Sequence, residues 1–144
     1  MTSVPVSVSS WQKLAKPWPD AALVAIEPSA DMADRCRALG LEVTESMLEE
    51  IEESGADFDM LCAFELFEHL FDPLAFLQSA HRLLKSGRIL LFTTLNDLGF
   101  DIQVQWGRSK SVSPPHHLNL ANPFNIDLLM QRAGFELIDV GTPG

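Results

Sequence analysis

Glu65, Glu68 and His69 stand in an ExxEH pattern directly after an apolar run. On a helical turn, positions i, i+3 and i+4 share one face. Two carboxylates and an imidazole converging there could hold a divalent metal, with His116 or His117 from a later His-His pair completing the shell. The competing reading is that Glu68 and His69 cap and brace the start of a helix. Another acid, Glu27, also follows an apolar run. A carboxylate in that place can accept hydrogen bonds from both hydroxyls of a ribose, or be a solvated loop residue.

These side chains need elements to hold them. Apolar runs at Ala22–Ile26, Phe58–Phe64 (FDMLCAF) and Ile89–Thr93 read as buried strands, and the segments between them carry helical period. The alternation predicts an α/β fold, a Rossmann-like three-layer sandwich with a mostly parallel sheet. Ser29 is placed to cap a helix with an apolar face of Met32, Cys36 and Leu39, stopped by Gly40. Leu41–Val43 is a short strand candidate, and a glutamate-rich helix is expected over Thr44–Ser54. Asp72 and Pro73 form a cap and first helical residue, opening a helix that buries Leu77, Ala80 and Leu84 before Gly87. Asn96–Asn119 (96–119) holds no period and reads as a long substrate-side loop. Phe124–Ala133 reads as a helix closed by Gly134, and Phe135–Val140 as a last strand. Ligands in such sheets bind beyond the carboxyl ends of the strands, where Glu27 and Glu65 lie.

With 144 residues, 47% of them hydrophobic, the composition is that of one globular domain with a real core. No apolar run approaches the ~20 residues of a membrane span, and the first ten residues hold no Lys or Arg, so the expected compartment is the cytoplasm. The net charge of −10 argues against nucleic acid, whose binding depends on cations at phosphates, and favours a small molecule or a protein. Five glutamates between Glu45 and Glu53 read as a solvated helix face. Cys36 and Cys62 lie in apolar contexts without CxxC spacing and read as buried thiols, not nucleophiles.

The runs Ile26–Val43, Phe58–Thr94 (through EHLFDP), PPHHLNL (Pro114–Leu120) and Ala133–Gly144 closely resemble class I S-adenosylmethionine-dependent methyltransferases. The likeness is strongest to the group near the ubiquinone-pathway O-methyltransferases. It implies that Glu27 holds the cofactor ribose, that Met47 and Leu48 line the adenine, and that Phe64 and Glu65 lie beside the methionine portion. It also implies a magnesium-type ion on Glu65, Glu68 and His69, with one of His116 and His117 as a further ligand or general base. His69, His116 and His117 are the candidates for the base that takes the acceptor's proton.

The chain departs from that family in one respect that matters. A GxGxG loop should fall at about Val4–Val8, which reads VPVSV, and β-branched residues and proline do not take the φ > 0 such a loop uses. The first and last strands of the family are expected to be missing or replaced, with Ser3–Ser9 able to serve as the first. The sheet would then be completed by further chain or in a dimer. The leading expectation is methyl transfer to a small-molecule acceptor, by this chain or by a longer enzyme of which it is part. A catalytically inactive methyltransferase-like binding or regulatory module is the alternative, and a nicotinamide-binding domain ranks third.

Overall fold

The computed structural model describes residues 2–3, 20–51, 58–109, 112 and 116–141. Val4–Val8, where the glycine loop was expected, lies outside the described residues, as does most of Ser3–Ser9. The chain divides into two compact units, Met1–Phe64 with Arg82–Phe92, and Glu65–His81 with Thr93–Gly144.

The first unit is built on strands β1 (Thr2–Ser3), β2 (Leu23–Ile26), β3 (Glu42–Thr44) and β4 (Phe58–Phe64), and β5 (Leu84–Thr93) begins in it. The sheet order is β3-β2-β1-β4-β5, and β1 pairs in parallel with both β2 and β4. Thr2 and Ser3 therefore fill the central position where a strand was expected to be missing or replaced. Helix α1 (Ala30–Ala38) connects β2 to β3, which pair in parallel. It buries Ala33 and Cys36, while Met32 and Leu39 are half-buried. Its end follows from Gly40 at φ +84°: Gly40 N–H donates to the Arg37 carbonyl and Leu41 N–H to that of Cys36, a Schellman closure that needs a left-handed residue.

Three expectations change in this unit. The glutamate-rich helix does not form over Thr44–Ile51, which holds only a 3-10 turn at Leu48–Glu50. Glu45 and Glu49 would repel at i,i+4; instead Glu45 pairs with Arg37, and Glu50 accepts from Met47 N–H. The helix expected to run to Gly87 ends at Leu83, because Lys85 and Arg88 both reach Asp59 of β4 (2.9 and 3.1 Å) and hold this stretch in the sheet. Finally, β5 is not a buried strand. It lies at the sheet edge among the described strands, leaving Ile89 50% and Leu91 40% exposed.

The second unit carries most of α2 (Pro73–Leu83), then α3 (Phe100–Gln105) and α4 (Pro123–Arg132). Asp72 caps α2 as expected, its carboxylate accepting from Ala75 N–H at 3.0 Å, and Leu77 and Ala80 are fully buried. Helix α4 starts one residue earlier than predicted, because Asn122 and Asn125 close a reciprocal capping box around Pro123. It ends in a second Schellman closure at Gly134 (φ +94°), where Phe135 N–H reaches the Met130 carbonyl at 2.9 Å.

The segment 96–119 is not without structure. Its neck is tied by Asp97 N–H to the Ala121 carbonyl (2.8 Å) and by Asn122 Nδ2 to Asp97 Oδ2 (3.1 Å). Within it, α3 begins at Gly99 and buries Ile102, leaving Phe100 and Val104 outward, so no apolar stripe betrayed it. Phe135–Val140 is not a strand. Phe135 packs edge-on to His81, and among the described residues no strand pairs with the segment. No helix among the described residues is long and apolar enough to cross a membrane.

Candidate functional site

In the first unit the residues to inspect follow β2 and β3. Val24, Ala25 and Ile26 are buried, and the chain leaves the sheet at Glu27, whose N–H still donates to the Thr44 carbonyl at 3.0 Å. One carboxylate oxygen, Oε1, accepts from Ser29 N–H at 2.9 Å. Ser29 is the N-cap of α1 through its backbone, but its hydroxyl makes no cap bond. The turn therefore orients Glu27 while leaving Oε2 without a partner among the described residues, available to a diol. Met47 is 51% exposed and Leu48 half-buried after β3, so apolar surface remains there for a flat ring. Cys36 and Cys62 are free and buried; burial, helped by Glu27, pushes the Cys36 thiol up, and burial alone takes Cys62 to about 11. Neither is a thiolate nucleophile near neutral pH.

In the second unit Glu65 opens the ExxEH element with φ +53°, a left-handed conformation costly for a residue with a Cβ. It is held there by Thr93, whose carbonyl and hydroxyl oxygens both accept from Glu65 N–H, at 3.2 and 3.1 Å. A 3-10 turn, Phe67–His69, follows in place of an α-helix, with Glu65 outside it, and burial separates the three side chains. Glu65 and His69 are exposed, whereas Glu68 is 2% exposed, its Oε2 accepting from the Thr94 hydroxyl at 3.2 Å. Glu68 thus matches the bracing alternative.

His69 Nδ1 lies 2.7 Å from the His116 carbonyl oxygen. A carbonyl only accepts, so Nδ1 carries the proton and Nε2 of the neutral ring keeps its lone pair. The His117 ring meets His69 edge-on at 5.1 Å. The structure therefore brings His69, His116 and His117 together, with His116 contributing its backbone. It does not close a metal shell: among the described residues no three His, Cys, Asp or Glu side chains are disposed to hold an ion. With Glu68 buried and turned to Thr94, and only the backbone of His116 meeting His69, the set Glu65, Glu68, His69 and His116 does not fit a divalent cation.

The residues that sequence reasoning passed over are Thr93, Thr94 and Asn119. Asn119 Nδ2 donates to the carbonyls of Phe67 (3.1 Å) and Leu70 (2.6 Å), while Leu118 N–H and Asn119 N–H both donate to that of Glu68 (2.7 and 3.1 Å). The EHL and HHLN segments are thus one hydrogen-bonded unit. A cavity of about 390 Å³ borders Phe67, Asn119 and α4, but none of the candidate His or Glu residues lines it.

A sheet in the order β3-β2-β1-β4-β5, with β1 to β4 paired in parallel and an acid beyond β2, is a Rossmann-like arrangement. Residues 10–140 match the family described as "Methyltransferase domain", and the chain belongs to that family. It is 28% identical to a ubiquinone biosynthesis O-methyltransferase of Ruegeria pomeroyi, over 69% of this chain and 44% of that protein. It is 30% identical to a probable S-adenosylmethionine-dependent methyltransferase of Mycolicibacterium smegmatis, over 73% of this chain and 39% of that protein. The chain thus spans less than half the length of both relatives. A crystal structure of a SAM-dependent methyltransferase from Thermotoga maritima, described as a possible histamine N-methyltransferase, superposes with a TM-score of 0.74 at 24% identity, covering 94% of this chain and 63% of that one.

Proposed function

We propose that this chain is the catalytic domain, or part of it, of an enzyme that moves a methyl group from S-adenosylmethionine to a small-molecule acceptor. The observation that carries the reading is Glu27, oriented by Ser29 N–H with Oε2 left over, at the end of a buried parallel strand in a methyltransferase-family chain. Glu27 would hold the ribose hydroxyls, Met47 and Leu48 the adenine, and Phe64 with Glu65 the methionine portion. When bound, S-adenosylmethionine supplies an electrophilic methyl carbon on a sulfonium. Transfer of that methyl group would release the acceptor's proton, which a base of this chain would take. His69 Nε2 is suited to that role because Nδ1–H is already donated, with His117 beside it. Much of the rate would come from holding the acceptor in line. No step is assigned to a metal.

The acceptor side would include the segment 96–119. The free, buried thiols suit a reducing compartment, and we assign the cytoplasm. The test is a calorimetric titration of the chain with S-adenosylmethionine and with S-adenosylhomocysteine. Saturable binding of both supports the reading, and binding of neither sinks it for this chain.

A further inference from the structure

We propose that Asn119 is a positioning residue that fixes the tautomer of His69, leaving Nε2 as the nitrogen that receives the acceptor's proton; the second half rests on the methyl-transfer reading. The contact between His69 Nδ1 and the His116 carbonyl joins positions 47 residues apart, so something must hold the two segments in register. That register is set by the carbonyls of Phe67, Glu68 and Leu70, which flank His69 and are all met from Leu118–Asn119.

Asn119 alone supplies three of these four N–H donors, two from its side-chain amide and one from its backbone. The chemistry of the position is narrow. A short neutral side chain with two N–H donors can bridge two carbonyls of one turn; a carboxylate offers no donor, and a hydroxyl offers one. With the bridge in place, His116 presents an acceptor and no donor to Nδ1. The ring then takes the Nδ1–H form, and its other nitrogen is the basic one. The buried Glu68 carboxylate is turned to Thr94, and an aromatic neighbour, His117, meets the ring edge-on. The hydrogen bonds of Asn119 to the turn go to the backbone carbonyls of Phe67, Glu68 and Leu70, so it acts through His69.

The test is a long-range proton–nitrogen correlation spectrum of the uniformly ¹⁵N-labelled chain at about pH 8.5, where imidazoles are ordinarily neutral. His69 is assigned by its disappearance in His69→Gln. The Nδ1–H tautomer should dominate in the native chain and become the minor form in Asn119→Ala and Asn119→Asp. Asn119→Ser, which keeps one donor, should fall between. If Asn119→Ala and Asn119→Asp do not fold, Asn119→Ser alone decides, and an unchanged tautomer there overturns the assignment. A native His69 in the Nε2–H form also overturns it, as does an Nδ1–H form that persists in folded Asn119→Ala. The measurement needs no cofactor, so failure to bind S-adenosylmethionine would sink the methyl-transfer reading and leave this result standing.

Discussion

Glu27 and Glu68 each stand just beyond a buried strand, in different units of the chain, and the fold uses them in opposite ways. Glu27 spends one oxygen on Ser29 N–H and remains partly exposed. Glu68 is almost wholly buried, its Oε2 on Thr94 and its own carbonyl taken by two N–H groups of the 118–119 segment. An acid after a strand keeps the capacity to bind a ligand when its neighbours satisfy part of it and solvent reaches the rest. It becomes a brace when burial and neighbours consume it, since an unpaired buried carboxylate would cost several kcal/mol.

The sharpest way to break the comparison is to remove each acid. Glu27→Ala should weaken S-adenosylmethionine binding by about 10²-fold, the equivalent of two hydrogen bonds to a charged group, with little change in melting temperature. Equal losses of affinity and stability would show that Glu27 is a brace as well. Glu68→Ala should instead cost about 2–3 kcal/mol in urea unfolding. For the metal, calorimetry with magnesium should register no ion at the ExxEH element. Binding heat that vanishes in Glu68→Gln would reinstate the site.

Smaller effects probe the frame around each acid. Gly134→Ala should destabilise by about 1–2 kcal/mol, because φ is left-handed there. The new Cβ would also stand 3.1 Å from His81 Nε2. In the first unit, Cys62 titrates at about 11 when folded, above the ~8.5 of an unfolded thiol. The unfolded chain therefore loses this proton first, and stability falls as pH rises from the unfolded value towards the folded one. Native Cys62 should resist alkylation near pH 8, whereas Cys62 in the urea-unfolded chain should react; rapid native labelling would contradict its burial.

The smallest effect concerns Asp59, whose carboxyl is held below its ordinary range, first by the hydrogen bond from Lys85 and then by the charges of Lys85 and Arg88. Its contribution is present above the unfolded carboxylate range, near ~3.9, and is lost as pH falls through the folded value. Asp59→Asn should lower the melting temperature near neutral pH and match the parent at acid pH. A constant difference across pH would mean packing, not charge.

Local chemistry made much of the molecule legible before any coordinates. FDMLCAF had to be a buried strand, Asp72-Pro73 had to open a helix, and Gly40 and Gly134 had to close theirs, because each signal is complete within a few residues. The ExxEH and HHLN segments stood out for the same reason, as clusters of chemistry-bearing types. What each cluster does depended on partners far along the chain. Thr94 turns Glu68 into a brace, the His116 carbonyl selects the His69 nitrogen, and Asp59 draws Lys85 and Arg88 into the sheet. The edge position of β5 and the lack of a strand partner for Phe135–Val140, both among the described residues, were illegible for a related reason: strand burial is a property of neighbours in the sheet, and periodicity along one strand does not encode them.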